Sequence, residues 1–175
     1  VTSDEIKLIK RAKRGDQVAL GAVLRLYERR LYSTALQILG SSWDAQDAVQ
    51  ETLYEACANI GSLRDPSRLG AWLAKILTRK CYRLARQDAS LLHFADVDYQ
   101  ACEFGTRHDD EVLQAVASLP QDQRVAIVLR FFMDLSYDDI QAVTGWQMGT
   151  VKSRINRARH QLREVLGERG VRRGL

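Results

Sequence analysis

A chain that must accommodate the stretch from Leu135 to Leu166 has few folds open to it. Ser136 stands where a helix N-cap belongs, with Asp139 three residues on, a near capping box. The short helix that follows should bury Ile140 and Val143. Thr144-Gly145 ends it, glycine being the residue that accepts a left-handed backbone. On a wheel at about 100° per residue, Val151, Ile155, Ala158, Leu162 and Val165 share one face of the next helix. Lys152, Ser153, Asn156, Arg157 and His160 fall on the other. From Lys152 to Arg163 the charged residues are Lys152, Arg154, Arg157, Arg159 and Arg163, with no acid among them. A short helix, a glycine turn and a longer helix with one cationic face form a helix-turn-helix, whose second helix enters the DNA major groove. A solvated basic helix in an ordinary bundle has the same periodicity. It has no need of Ser153 and Asn156 among its cations, and those side chains pair with base edges.

With 175 residues the chain suffices for one large domain or two small ones. Two prolines and no alternating run of β-branched residues argue against sheets. The net charge of +4 favours an anionic partner only weakly, but its distribution says more. Residues 1–86 carry +6, residues 87–108 carry −3, and residues 109–175 carry +1. No apolar run is long enough to span a membrane and no signal peptide opens the sequence, so a cytoplasmic protein without membrane insertion is expected. Cys57, Cys81 and Cys102 are widely spaced and read as reduced thiols. His93 and Cys102 lie near each other without the paired Cys/His at short spacing that zinc wants, so neither a metal site nor a cofactor is expected.

The remaining segments read as helices. Thr2 to Glu5 matches a capping box and opens a helix through Arg14, whose cations Lys10, Arg11, Lys13 and Arg14 should be solvated. Asp16 caps a long helix closed by Gly40. The helix from about Trp43 to Ile60 carries Asp44, Asp47, Gln50, Glu51, Tyr54 and Glu55 on its outer face and contains no Lys or Arg. Surface helices usually mix signs. This uncompensated acidic face therefore points to docking on a basic protein surface, the alternative being a merely solvated one. Asn59, Ile60, Gly61, Ser62, Leu63 and Arg64 form a loop, after which Asp65 and Pro66 start a helix running to about Gln87. Lys75, Arg79, Tyr82 and Arg86 make a stripe on it. Cations around an aromatic suit unpaired bases and their phosphates, although a snorkelling basic face is also compatible. Residues 88–108 shift to acid without a sustained period and read as a linker. Leu91, Leu92, Phe94, Tyr99 and Phe104 make that linker too apolar for a free tether. Helices over Asp109–Ser118 and Gln121–Phe132 lead into the helix-turn-helix, and the tail from Gly167 should fray. The expected fold is all-α: two helical domains, residues 1–87 and 109–175, joined by a flexible linker.

Taken as a set and in order, these segments resemble a bacterial sigma factor of the extracytoplasmic-function group, in the sigma-70 superfamily. Asp44-Ala45-Gln46-Asp47-Ala48-Val49-Gln50-Glu51-Thr52-Leu53 is similar to that family's acidic polymerase-binding segment. Asp65-Pro66-Ser67 through Lys75-Ile76 is similar to the segment that melts and reads the −10 element. Leu119-Pro120, Arg124, Arg130, Leu135-Ser136-Tyr137 and Gly149-Thr150-Val151-Lys152-Ser153-Arg154 are similar to the −35-reading domain. The resemblance implies a monomeric, non-enzymatic initiation factor that binds core RNA polymerase, through the β′ clamp helices and the β subunit. Asp44, Asp47, Gln50 and Glu51 would be the polymerase contacts. Promoter DNA would be single-stranded at −10, held by residues 59–64 with Lys75, Arg79, Tyr82, Arg83 and Arg86. It would be double-stranded at −35, contacted by Arg130, Tyr137, Gly149, Thr150, Lys152, Ser153, Asn156 and Arg157. An anti-sigma factor is the implied regulator. Arg79 and Arg83 depart from the family pattern, which has Asn and Asp there. Two other readings stay open: a self-sufficient helix-turn-helix regulator binding a palindrome as a dimer, and a sigma-shaped mimic that sequesters an anti-sigma factor.

Overall fold

Thr2 closes the capping box that its spacing with Glu5 calls for, and α1 runs Ser3–Lys13. The computed structural model describes residues 2–87 and 107–172, with side chains over 2–85 and 111–167. Asp16 Oδ1 accepts from the Ala19 N–H at 2.9 Å and starts α2, Gln17–Leu39, which ends at Gly40 with φ +72°. Ser41 caps α3, Ser42–Asn59. Two single 3₁₀ turns, Ile60–Ser62 and Pro66–Arg68, precede α4, Leu69–Gln87. The expected start of this helix at Pro66 is thus a tighter turn, with Asp65 capping Ser67. Then follow α5, Arg107–Ala117, α6, Gln121–Phe131, α7, Tyr137–Thr144, and α8, Met148–Arg172. The tail expected to fray at Gly167 is helical to Arg172. Glycine there costs about 1 kcal/mol but leaves the backbone N–H in place, so it weakens a helix without stopping it. The expected linker's apolar residues, Cys102 and His93 lie outside the described residues.

Every described element is a helix or turn, so burial comes from helix on helix. α1–α4 pack around Ile9, Val23, Leu31, Leu36, Leu69, Leu73 and Leu77, all fully buried. Gly70 lets α4 approach α2 closely, since a Cβ there would sit 3.3 Å from the Tyr27 ring. α5–α8 enclose Val116, Val125, Leu129, Ile140, Val151 and Ile155. The two halves are not separated by solvent: α2 lies against α5 and α6, and α4 lies against α7. Their buried side chains join in one continuous core. Among the described residues no helix is long and apolar enough to cross a membrane.

Candidate nucleic-acid interface

The helix-turn-helix is built from local chemistry. Ser136 Oγ accepts from the Asp139 N–H at 3.1 Å, and Asp139 accepts in return from the Ser136 N–H. Gly145 at φ +73° reverses the chain. Ile140 is buried and Val143 half-buried, while α8 buries Val151, Ile155 and Ala158 and half-buries Leu162 and Val165. That packing aims Lys152, Asn156 and Arg157 into solvent, and none of the three has an ion-pair or hydrogen-bond partner among the described residues. Ser153 is half-buried and donates to the Thr150 carbonyl at 3.0 Å, so its hydroxyl is already engaged. Gly149 is exposed and Thr150 half-buried beside it. Arg154, part of the same charge run, is spent inside the fold. Its guanidinium stacks 3.8 Å from the Trp146 ring and pairs with Asp122. Sequence reading missed this, although a Trp directly after the turn glycine was the available signal. Arg130 donates to the Leu135 carbonyl at 3.2 Å and to Asp134 at 3.3 Å, bracing a turn in which Asp134 itself has φ +54°. Tyr137 is half-buried next to it.

The acidic face of α3 is not uncompensated, and that expectation is corrected. Glu51 and Glu55 meet three cations of α4. Arg83 bonds Glu51 at 2.6 Å, Lys80 lies 3.0 Å from Glu51 and 3.2 Å from Glu55, and Arg79 pairs with Glu55. The Arg83 and Lys80 hydrogen bonds hold the Glu51 carboxyl below the usual glutamate range, and the Arg79 and Lys80 bonds do the same for Glu55. Glu51 in turn raises the Lys80 ammonium. Composition of α3 alone could not reveal this, because the compensating charges sit on another helix. Asp47 and Gln50 are exposed, and neither Asp44 nor Asp47 has an ion-pair partner among the described residues. Asp44 is half-buried at the rim of a cavity of about 520 Å³ between the halves, which Ile38, Leu39, Ala85 and Arg124 also line.

Of the loop between α3 and α4, only part is available to a ligand. Ile60 and Leu63 are buried, and the Leu63 carbonyl accepts from Lys13, one of the lysines expected to be solvated. Asn59, Gly61, Ser62 and Arg64 are exposed. Asn59 donates to the Glu55 carbonyl at 3.0 Å and Ser62 to the Asn59 carbonyl at 2.8 Å, so the loop is pre-folded. Lys75 is exposed and has no ion-pair or hydrogen-bond partner among the described residues, whereas Tyr82 is half-buried, and burial raises its phenol pKa. The Arg86 side chain lies outside the described residues. Lys75, Thr78, Arg79, Tyr82 and Arg83 form one wall of a groove of about 790 Å³, and Val143 and Thr144 of α7 form the other. Arg68 closes the end of this junction by pairing with Asp139 across the two halves. Burial would raise the Asp139 pKa, but hydrogen bonds from Ser136 and Arg68 outweigh it and hold the carboxyl low.

Among the described residues no group of three or more His, Cys, Asp or Glu side chains is placed to hold a metal ion. What the molecule offers instead is one uncovered cationic helix face, one half-covered cationic groove and one acidic helix.

The family profile for sigma-70 region 2 matches residues 23–90, and that for sigma-70 region 4 matches residues 109–162. The chain is 39% identical to the ECF RNA polymerase sigma factor EcfG of Rhodopseudomonas palustris, over 78% of each sequence. It is 31% identical to the RNA polymerase sigma-H factor of Pseudomonas aeruginosa, over 91% of this chain and 92% of the relative. Among solved structures, it is similar to the sigma factor RpoE of Bartonella quintana in complex with the anti-sigma factor NepR. That likeness has a TM-score of 0.71 at 30% identity, covering 84% of this chain and 96% of the other.

Proposed function

Because the chain belongs to the extracytoplasmic-function sigma factors of the sigma-70 family, we propose that it joins core RNA polymerase in the cytoplasm and directs it to promoters. It supplies recognition and no catalytic step. In this reading residues 1–87 dock on polymerase through α3 and hold the melted −10 strand. Residues 88–108 link the halves, and residues 109–175 read the −35 element. The observation that carries it is α8: a buried apolar stripe that presents Lys152, Asn156 and Arg157 to solvent, in the geometry a major groove accepts. Arg157 and Lys152 supply phosphate or guanine contacts, and Asn156 can pair bidentately with adenine. Arg130 and Tyr137 brace the neighbouring backbone. At −10, Lys75, Tyr82 and Arg86 with the exposed loop residues Asn59, Gly61, Ser62 and Arg64 form the single-strand surface. Arg79 and Arg83 can reach DNA only by leaving Glu55 and Glu51.

The closed packing has a mechanical consequence. Elements about 25 base pairs apart are about 85 Å apart along B-DNA, at about 3.4 Å per pair. A compact body of this length has a radius of gyration of only about 16 Å. The two halves therefore separate on the promoter, breaking the Arg68–Asp139 pair and uncovering Tyr82. A regulator that favours the closed form would hold the protein inactive. Since the Bartonella quintana relative is bound by an anti-sigma factor, we extend that mode of control to this chain.

The test is transcription in vitro with core polymerase on genomic DNA, with start sites mapped. Initiation at sites sharing two upstream elements at fixed spacing is expected. Failure to join core polymerase, or a joined complex that starts no transcript, would overturn the assignment.

A further inference from the structure

The side chains of α3 fall into three sets that its sequence does not separate. Its buried side is Ala45, Ala48, Val49, Thr52 and Ala56. Glu51 and Glu55 turn toward α4, where they are engaged by Lys80, Arg79 and Arg83. On the remaining side, Trp43, Asp47, Gln50 and Tyr54 follow one another at spacings of four, three and four, which keeps all of them within about 60° on the helix. All are exposed, and the two aromatics at the ends are each 80% exposed, the most exposed large apolar side chains described. Fixing two such rings in water has no folding rationale, since neither touches the core. Trp and Tyr are the residue types that most often anchor a protein interface, because each buries a large rigid area with little loss of side-chain freedom.

We infer that Trp43 and Tyr54 are the apolar anchors of the polymerase contact, bracketing Asp47 and Gln50 in a stripe about 16 Å long. This rests on the reading of α3 as the polymerase-docking helix. The occupant is a basic helical surface of core polymerase with apolar recesses at either end. The charge argues for it: Asp47 has no ion-pair partner among the described residues, and α3 has no Lys or Arg to repel such a surface. Glu51 is then a positioning residue, which fixes α3 against α4 and presents the stripe rather than touching the partner.

The experiment titrates the fluorescently labelled full chain with core polymerase at about 0.1 M and about 0.5 M salt, where charge screening differs strongly. Trp43→Ala and Tyr54→Ala are each expected to weaken binding by about tenfold or more at both salt concentrations, with Trp43→Phe and Tyr54→Phe restoring most of it. Asp47→Lys should weaken it more at low salt than at high, and Glu51→Gln by less than threefold. Unchanged melting temperatures would show that the aromatic variants fold, as their exposure requires. Wild-type affinity in both alanine variants, with loss in Asp47→Lys, would overturn the anchors and leave the docking helix standing. Wild-type affinity in all three would overturn the docking helix itself.

Discussion

Helices α4 and α8 look alike as strings of letters. Each has an apolar stripe, each carries cations at helical spacing, and each is the helix we propose to read DNA in its half. In the folded chain they differ. α4 meets α3, whose Glu51 and Glu55 take up Arg79, Lys80 and Arg83, and it lies under α7. The outer face of α8 meets no other helix among the described residues. Its pairs are Arg154 with Asp122, at the edge of its packed side, and the exposed His160 with Glu164 at 3.4 Å. A cation on a helical wheel is available to DNA only if the neighbouring helix brings no carboxylate to it. For α4 that neighbour is rich in carboxylates.

The largest contrast between the helices should appear on removing one cation from each. Arg157→Ala is expected to lower −35-dependent initiation by about 5- to 150-fold, the range of a lost base-edge contact, with core polymerase affinity unchanged. Arg83→Ala should change −10 melting by less than about fivefold, because an exposed ion pair contributes about 0–1 kcal/mol. Promoter-opening assays on matched templates read both. Equal losses would mean that Arg83 leaves Glu51 in the open complex and that the two helices work alike after all.

A smaller effect separates them by pH. The folded Glu51 and Glu55 carboxyls lie below their ordinary value, so the unfolded chain binds more protons as the medium acidifies. Their contribution is therefore complete above the ordinary glutamate range and is lost as pH falls through the lowered folded values. Urea unfolding of Glu51→Gln/Glu55→Gln should show a loss of about 1 kcal/mol at pH 7 that vanishes at acid pH. Among the described residues no neighbouring helix brings such carboxylates to the outer face of α8.

What was legible in the sequence was what short-range chemistry decides. Ser136 and Asp139, three residues apart, make their capping box with no help from the rest of the chain, and Gly145 turns because only its own φ matters. The apolar stripe Val151, Ile155, Ala158 needs only the helical period. The order of helices and the acidic, −10-like and −35-like segments were likewise recognisable. What was not legible depends on residues far apart in the chain. Glu51 finds Arg83 across 32 positions, and Asp139 finds Arg68 across 71. No local pattern announces either. The same reason explains Lys13, which looked solvated and instead caps the Leu63 carbonyl, and Arg154, part of the acid-free cationic run but stacked on Trp146.

The subtlest difference is that α4 is covered and α8 is not, and one ion pair at the cover's edge can be removed cleanly. Asp139 has two tasks: it completes the α7 capping box through Ser136, and it holds Arg68. Arg68 has only the second. Arg68→Ala should therefore leave α7 intact while easing the halves apart, seen as a small rise in radius of gyration by small-angle scattering. Single-stranded −10 DNA should then bind slightly more tightly, by less than about fivefold. Asp139→Ala should do the same and also lower thermal stability, since a lost capping interaction costs about 0.5–2 kcal/mol. If both variants stay as compact as the parent, the apolar contact of α4 with α7, and not the ion pair, keeps the −10 helix covered. The covering would then yield only to a partner that binds the open form.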